Sequence, residues 1–210
     1  MENKNYVYEN SIILIGPIGV GKSLLSATLS NILGLSQLNL DDLRSVYYPK
    51  YGFDKKLSDD LLKKDQKLWL MYQKQFEIKM VEDVLSKLSY PAIIDFGASQ
   101  AHYFNESDKK KIAELLKPFN HVISLEFPNY ATKFAENETL NKSLFLKTNQ
   151  YKKLAKYSFI SDIFDLQALE TTQSLNNSVS WWKVNRTAQA IVERYRIMQH
   201  INELNNKKIM

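Results

Sequence analysis

The stretch Ile12-Ile13-Leu14-Ile15-Gly16-Pro17-Ile18-Gly19-Val20-Gly21-Lys22-Ser23 sets an apolar run directly before a complete G-x-x-x-x-G-K-[ST] loop. The run reads as a strand. The residues after the loop, Leu24 to Leu33, carry apolar side chains at helical spacing. A glycine-rich loop between a strand and a helix wraps phosphates with backbone N–H groups, and glycine lets the backbone approach them closely. Phosphates are therefore expected against Gly16, Gly19, Val20, Gly21, Lys22, Ser23 and Leu24. Lys22 reaches the β- and γ-phosphate oxygens as a point charge, and the Ser23 hydroxyl is placed for Mg²⁺. The helix N-terminus adds its own positive end. These residues predict a site for a nucleoside triphosphate.

Length and composition narrow the rest. A chain of 210 residues buries one substantial core, so a single α/β domain over 1–210 is expected. The sequence has no cysteine, which removes disulfides, thiolate metal sites and cysteine nucleophiles. The N-terminal residues are polar and no apolar stretch has the length of a membrane span, so the expectation is a cytoplasmic protein with no membrane partner. The net charge of +5 suits anionic ligands. Its lysines are dispersed, and runs such as Lys109-Lys110-Lys111 read as solvated helix faces, which counts against nucleic acid as partner. The oligomeric state is left open.

Strands and helices alternate along the chain. After the first helix, Leu35 to Leu40 reads as a second strand ending at Asp41-Asp42, and a long helix is expected from about Ser58 to Leu88. Ala92-Ile93-Ile94-Asp95 reads as a third strand, Ser107 to Leu116 as a helix, His121 to Glu126 as a fourth strand and Tyr157 to Ser161 as a fifth. A last helix is expected at about 184–205. Such alternation implies parallel pairing, with ligands at the carboxyl ends of the strands.

That edge collects the acidic candidates. Asp95 ends the third strand, where a carboxylate holds Mg²⁺ directly or through water; Asp41 and Asp42 end the second. One of this pair suits the metal and the other a hydroxyl that attacks the γ-phosphate, with Asp41 assigned to the metal and Asp42 to the acceptor. Asp42 also reads as a helix N-cap and Asp95 as a turn residue before Gly97. Arg44 lies one helical turn from these acids, and its planar fork suits a carboxylate or phosphate of a second substrate. Tyr47, Tyr48, Tyr51 and Phe53, with Trp69 and Tyr72, read either as an acceptor pocket or as core. His102, His121 and His200 share no metal-ligand spacing.

The loop, Leu40-Asp41-Asp42-Leu43-Arg44, Ile93-Ile94-Asp95-Phe96-Gly97-Ala98 and Asn149 to Lys156 together resemble the shikimate-kinase-like branch of small P-loop kinases, over about residues 11–162. The resemblance implies a three-layer P-loop NTPase fold with a five-stranded parallel sheet. It also implies ATP with Mg²⁺ and transfer of the γ-phosphoryl group to a hydroxyl of a small metabolite. Lys22, Asp41 and Asp42 are then the catalytic residues, Ser23, Asp41 and Asp95 the metal ligands, and Asp42, Arg44 and Gly97 the acceptor contacts. The acids are adjacent where the family has Asp-x-Asp, and Phe96-Gly97-Ala98-Ser99 stands for a glycine run. The expected lid, about 139–150 with Lys147 over the transferring group, carries no arginine. Lysine does not reproduce a bidentate fork, so shikimate itself is disfavoured. A regulatory ATPase answering to a protein partner, and a kinase of nucleotides or nucleic-acid ends, are the other readings of the same loop.

Overall fold

The computed structural model describes residues 4–126, 151–160 and 181–207. Strand β1 (Ile12–Ile15) is the middle of a five-stranded sheet that also contains β2 (Ser36–Asn39), β3 (Ala92–Asp95), β4 (His121–Glu126) and β5 (Tyr157–Ile160). The order is β2-β3-β1-β4-β5 and every pairing is parallel. All four residues of β1 are fully buried, because parallel sheets are covered on both faces. Its side chains alternate accordingly. Ile12 and Leu14 pack with Leu25 and Leu29 of α2 (Lys22–Leu33) and with Val184, Ala188 and Ile191 of α7 (Trp181–Lys207). Ile13 and Ile15 face the larger core, with Phe76, Met80 and Val84 of α5 (Gln66–Lys87) and Ile112 and Leu116 of α6 (Glu106–Leu116). The described residues therefore form three layers, as the resemblance implies.

Several boundaries differ from the sequence reading, each for a local reason. A short helix, α1 (Lys4–Asn10), precedes β1 and buries Val7. Strand β2 stops at Asn39, whose side chain accepts a hydrogen bond from the Asp41 N–H and caps α3 (Leu40–Lys50). Asp41 and Asp42 thus occupy the first turn of α3 instead of the end of the strand, where their charge also suits the helix dipole. The expected helix from Ser58 to Leu88 is two helices, α4 (Lys55–Lys64) and α5. They part at Asp65, whose carboxylate caps α5 through the Lys67 and Leu68 N–H groups at 2.7 and 3.3 Å. The last helix begins a turn earlier than expected, so Trp181 and Trp182 belong to it. The expected lid and Lys147 lie outside the described residues.

The aromatic residues in and just after α3 pack on the core. Tyr48 is 5% exposed and packs on Phe53 and Phe76, with ring centroids 5.2 and 5.8 Å apart, and Tyr72 closes the cluster against Phe53 and Phe76. Among the described residues no group of histidines and acids is arranged for a metal ion, and no helix is long and apolar enough to cross a membrane. Several dispersed lysines are paired on the surface, Lys109 with Glu106, Lys111 with Glu82 and Lys152 with Glu126.

At the far end of β4 from the glycine-rich loop, His121 is 2% exposed and its ring lies 4.8 Å from that of Tyr195. Its Nε2 has no hydrogen-bond partner among the described residues. Burial, reinforced by the Lys156 and Arg194 charges, pushes its pKa from 6.5 down to about 4. The unfolded chain therefore binds the extra proton first, and stability falls as pH drops from about 6.5 towards about 4. Denaturant titrations at pH 7 and pH 4.5 should show an acid loss about 2 to 3 kcal/mol larger in the parent than in His121→Phe. Equal losses in the two proteins would show that His121 is not the group responsible.

Candidate active site

The carboxyl edge of the sheet gathers the sequence-predicted residues from three adjacent strands. From β1 comes the loop itself. Gly16 has φ 149°, and a Cβ there would stand 2.6 Å from the Leu125 carbonyl oxygen at the end of β4, so both backbone shape and space demand glycine. Gly21, at φ 90°, turns the chain into α2. Lys22 is 8% exposed, and its ammonium donates to the carbonyl oxygens of Gly16 and Pro17 at 3.0 and 2.8 Å. Burial lowers its pKa, and the negative charges of Asp95 and Asp41 oppose that shift.

Asp95 comes from β3, opposite Leu14 of β1 and Asn39 of β2 in the ladders. It is 2% exposed, and its Oδ2 has no hydrogen-bond partner among the described residues. Burial raises its pKa, while the Ser23 hydroxyl and the Lys22 charge hold it back. An orphaned, buried carboxylate oxygen beside a serine hydroxyl is a donor set of hard oxygens, which fits Mg²⁺.

The third contribution is the first turn of α3. Asp41 Oδ1 accepts from Arg44 Nη2 at 2.8 Å and from Gln100 Nε2 at 2.9 Å, whereas its Oδ2 accepts no hydrogen bond among the described residues. The carboxylate rests against Gly97, where any Cβ would fall on it. That contact gives Gly97 a steric reason to be glycine. Asp42 is exposed on the same turn, and its side chain makes no hydrogen bond or ion pair among the described residues.

Glu77, Lys74 and Gln100 went unnamed in the sequence reading, and Ser99 and Tyr151 entered it only within longer stretches. Glu77 of α5 is 1% exposed and binds both cations of this wall, Lys74 at 2.5 Å and Arg44 at 3.1 Å. The Ser99 hydroxyl donates to Glu77 and accepts from Arg44 Nη2 at 2.7 Å, and the Ser99 carbonyl accepts from Lys74. Gln100, fully buried, accepts from the Gly97 N–H at 2.7 Å while donating to Asp41. The turn 97–100 is held from behind by the Tyr151 hydroxyl, which donates to the Ala98 carbonyl at 2.6 Å. One signal was available. Glu77 lies on the apolar stripe of its helix with Val81 and Val84, where a carboxylate needs buried partners.

Comparison with solved structures identifies the fold. The chain is similar to shikimate kinase from Bacteroides thetaiotaomicron, with a TM-score of 0.55 and 12% identity over 89% of this chain and 98% of that one. It is also similar to shikimate kinase from Acinetobacter baumannii in complex with shikimate, with a TM-score of 0.51 and 16% identity over 90% and 94% of the two chains. No protein-family model matches the chain, and no curated protein does. The chain has a shikimate-kinase-like P-loop fold.

The buried ion network yields a stability test. Glu77→Ala leaves Lys74 buried without its carboxylate and should cost about 3 to 5 kcal/mol in urea denaturation. Lys74→Met combined with Glu77→Leu removes both charges and should recover most of that loss. A single-substitution cost below about 1 kcal/mol would show that the network bears little of the fold's stability.

Proposed function

We propose that the protein is an ATP-dependent phosphotransferase that moves the γ-phosphoryl group of ATP to a hydroxyl of a small molecule. The observation that carries this reading is the convergence on one edge of a buried cation, Lys22, and two carboxylates, buried Asp95 and held Asp41, each with one oxygen that has no hydrogen-bond partner among the described residues. A binding-only loop has no need of the third group.

Each residue then has a task. The N–H groups of Gly19, Gly21, Lys22, Ser23 and Leu24 wrap the phosphates. The Lys22 ammonium leaves the Gly16 and Pro17 carbonyls for the β- and γ-phosphate oxygens, where it offsets charge that builds up in the transition state. Ser23 and Asp95 would hold Mg²⁺, which supplies charge neutralisation across the β- and γ-phosphates. Asp41 was expected to serve the metal and Asp42 the acceptor; because Arg44 and Gln100 hold Asp41 Oδ1, we assign the proton of the attacking hydroxyl to Asp41, through an Oδ2 that accepts no hydrogen bond among the described residues. The acceptor oxygen bonds to the γ-phosphorus, the bond from phosphorus to the bridging oxygen breaks, and ADP leaves with the electron pair. Asp42, exposed one residue away, adds negative potential on the acceptor side and a second oxygen acceptor for hydroxyls.

The single domain over 1–210, the lid at 139–150 and the role of Lys147 belong to the same proposal. Closure over the transferring group keeps water from competing with the acceptor.

The test is acceptor-dependent ADP formation from ATP and Mg²⁺, measured over a set of hydroxylated metabolites. Lys22→Ala should abolish the signal. Asp41→Asn should lower kcat about 100- to 1,000-fold, and Asp42→Asn should lower it less. ADP formation that survives Lys22→Ala, or that no acceptor accelerates, would contradict the reading.

A further inference from the structure

A cavity of about 340 Å³ opens between α6, the turn after β3 and the helical turn 151–154. Among the described residues, its lining includes neither the phosphate loop nor Asp41, Asp42 or Asp95. That volume suits a small organic molecule. The apolar part of the lining is Ala101, Tyr103, Ile112 and Leu154, of which the first three are at most 1% exposed. The charged part, among the described residues, is Lys109, Lys110 and Lys153 with one carboxylate, Glu106. Glu106 pairs with Lys109 at 2.6 Å, and the Lys109 hydrogen bond and charge, followed by the Lys153 charge, hold its pKa below the usual carboxylate value. The lysine run 109–111 thus divides: Lys111 pairs with Glu82 of α5, whereas Lys109 and Lys110 belong to the cavity.

We propose that this cavity is a second ligand site, for a small organic anion with an apolar body and a carboxylate or phosphate head, whose occupation is felt at the wall that holds Asp41. The head gains from lysines that outnumber the carboxylate, and a ligand cation meets like charge there. The apolar lining rewards a hydrocarbon or aromatic body, which an inorganic ion lacks. Three supports of the Asp41 wall border the cavity. Ala101 directly follows Gln100, which donates to Asp41. The Tyr103 ring centroid lies 4.9 Å from the ammonium of Lys74, the partner of Glu77. Leu154 shares a helical turn with Tyr151, whose hydroxyl donates to the Ala98 carbonyl. The site stands whether or not the phosphate loop serves phosphotransfer.

The experiment titrates the full chain with benzoate, phenyl phosphate, benzyl alcohol and inorganic phosphate, followed by NMR at backbone amides and methyl groups. The first two probes carry both body and charge, benzyl alcohol the body alone and inorganic phosphate the charge alone. At least one aryl anion should shift the Ala101, Ile112 and Leu154 signals with a Kd of about 1 mM or tighter, and the two incomplete probes should bind there at least about tenfold more weakly. The Gly97 and Gln100 amides should move with the same midpoint. Lys110→Glu combined with Lys153→Glu, both at exposed positions, should weaken the aryl anion at least about tenfold while the remaining signals keep their places. No shift at the cavity from either aryl anion, equal affinity for benzyl alcohol, or undiminished binding by the double variant would overturn the site. Shifts confined to the phosphate loop count as no shift at the cavity. Gly97 and Gln100 amides that stay still at saturation would overturn the link to the Asp41 wall.

Discussion

The ion pairs of Glu77 are the constraint from which the arrangement around Asp41 and Arg44 follows. A carboxylate almost fully withdrawn from water costs several kcal/mol unless cations and hydrogen bonds surround it. Glu77 meets that demand by drawing in Lys74 from its own helix, Arg44 from α3 and Ser99 from the turn after β3. Three separate pieces of chain are thereby tied at one point. The fastening of Arg44 decides where Asp41 stands, and the position of Asp41 decides that residue 97 has no side chain.

Topology brings that wall to the phosphate loop. Because β3 lies between β1 and β2 and all three run parallel, their carboxyl ends deliver Gly16, Asp95 and Asn39 side by side. The loop, a buried carboxylate and a capped helix start therefore share one edge, as the switch in strand order in an open parallel sheet requires. The Asn39 cap has a functional consequence: by starting α3 at Leu40 it puts Asp41 and Arg44 one helical turn apart, within reach of each other.

The glycine-rich loop and Asp95 were legible in the sequence because their signals are local. The loop spans eight residues, the flanking strand is a continuous apolar run, and Asp95 ends a second such run. The wall around Asp41 was legible only in part. Asp41, Asp42, Arg44 and Gly97 could be named from position and charge, but what holds them could not, since Arg44 meets Glu77 and Ser99 across 33 and 55 residues of chain. The apolar period of α5 drew attention to Phe76 and Met80 and away from the charged Lys74 and Glu77 between them. Likewise the period of α4 and α5 reads as one helix, because an Asp65 side chain that turns back to cap the next N–H groups leaves no mark on hydrophobic spacing. Arg44, alone in its part of the sequence, looked available to a ligand. One of its nitrogens, Nη2, is held by Asp41, Glu77 and Ser99.

The most direct measurement of the central claim is the fate of the γ-phosphorus, followed by phosphorus NMR with ATP, Mg²⁺ and the acceptor that most accelerates ADP formation. One phosphate monoester signal should appear for each ADP formed, with little inorganic phosphate. Inorganic phosphate as the sole product, at a rate that does not depend on the acceptor, would mean that the loop and the Asp41 wall do not form one phosphotransfer site.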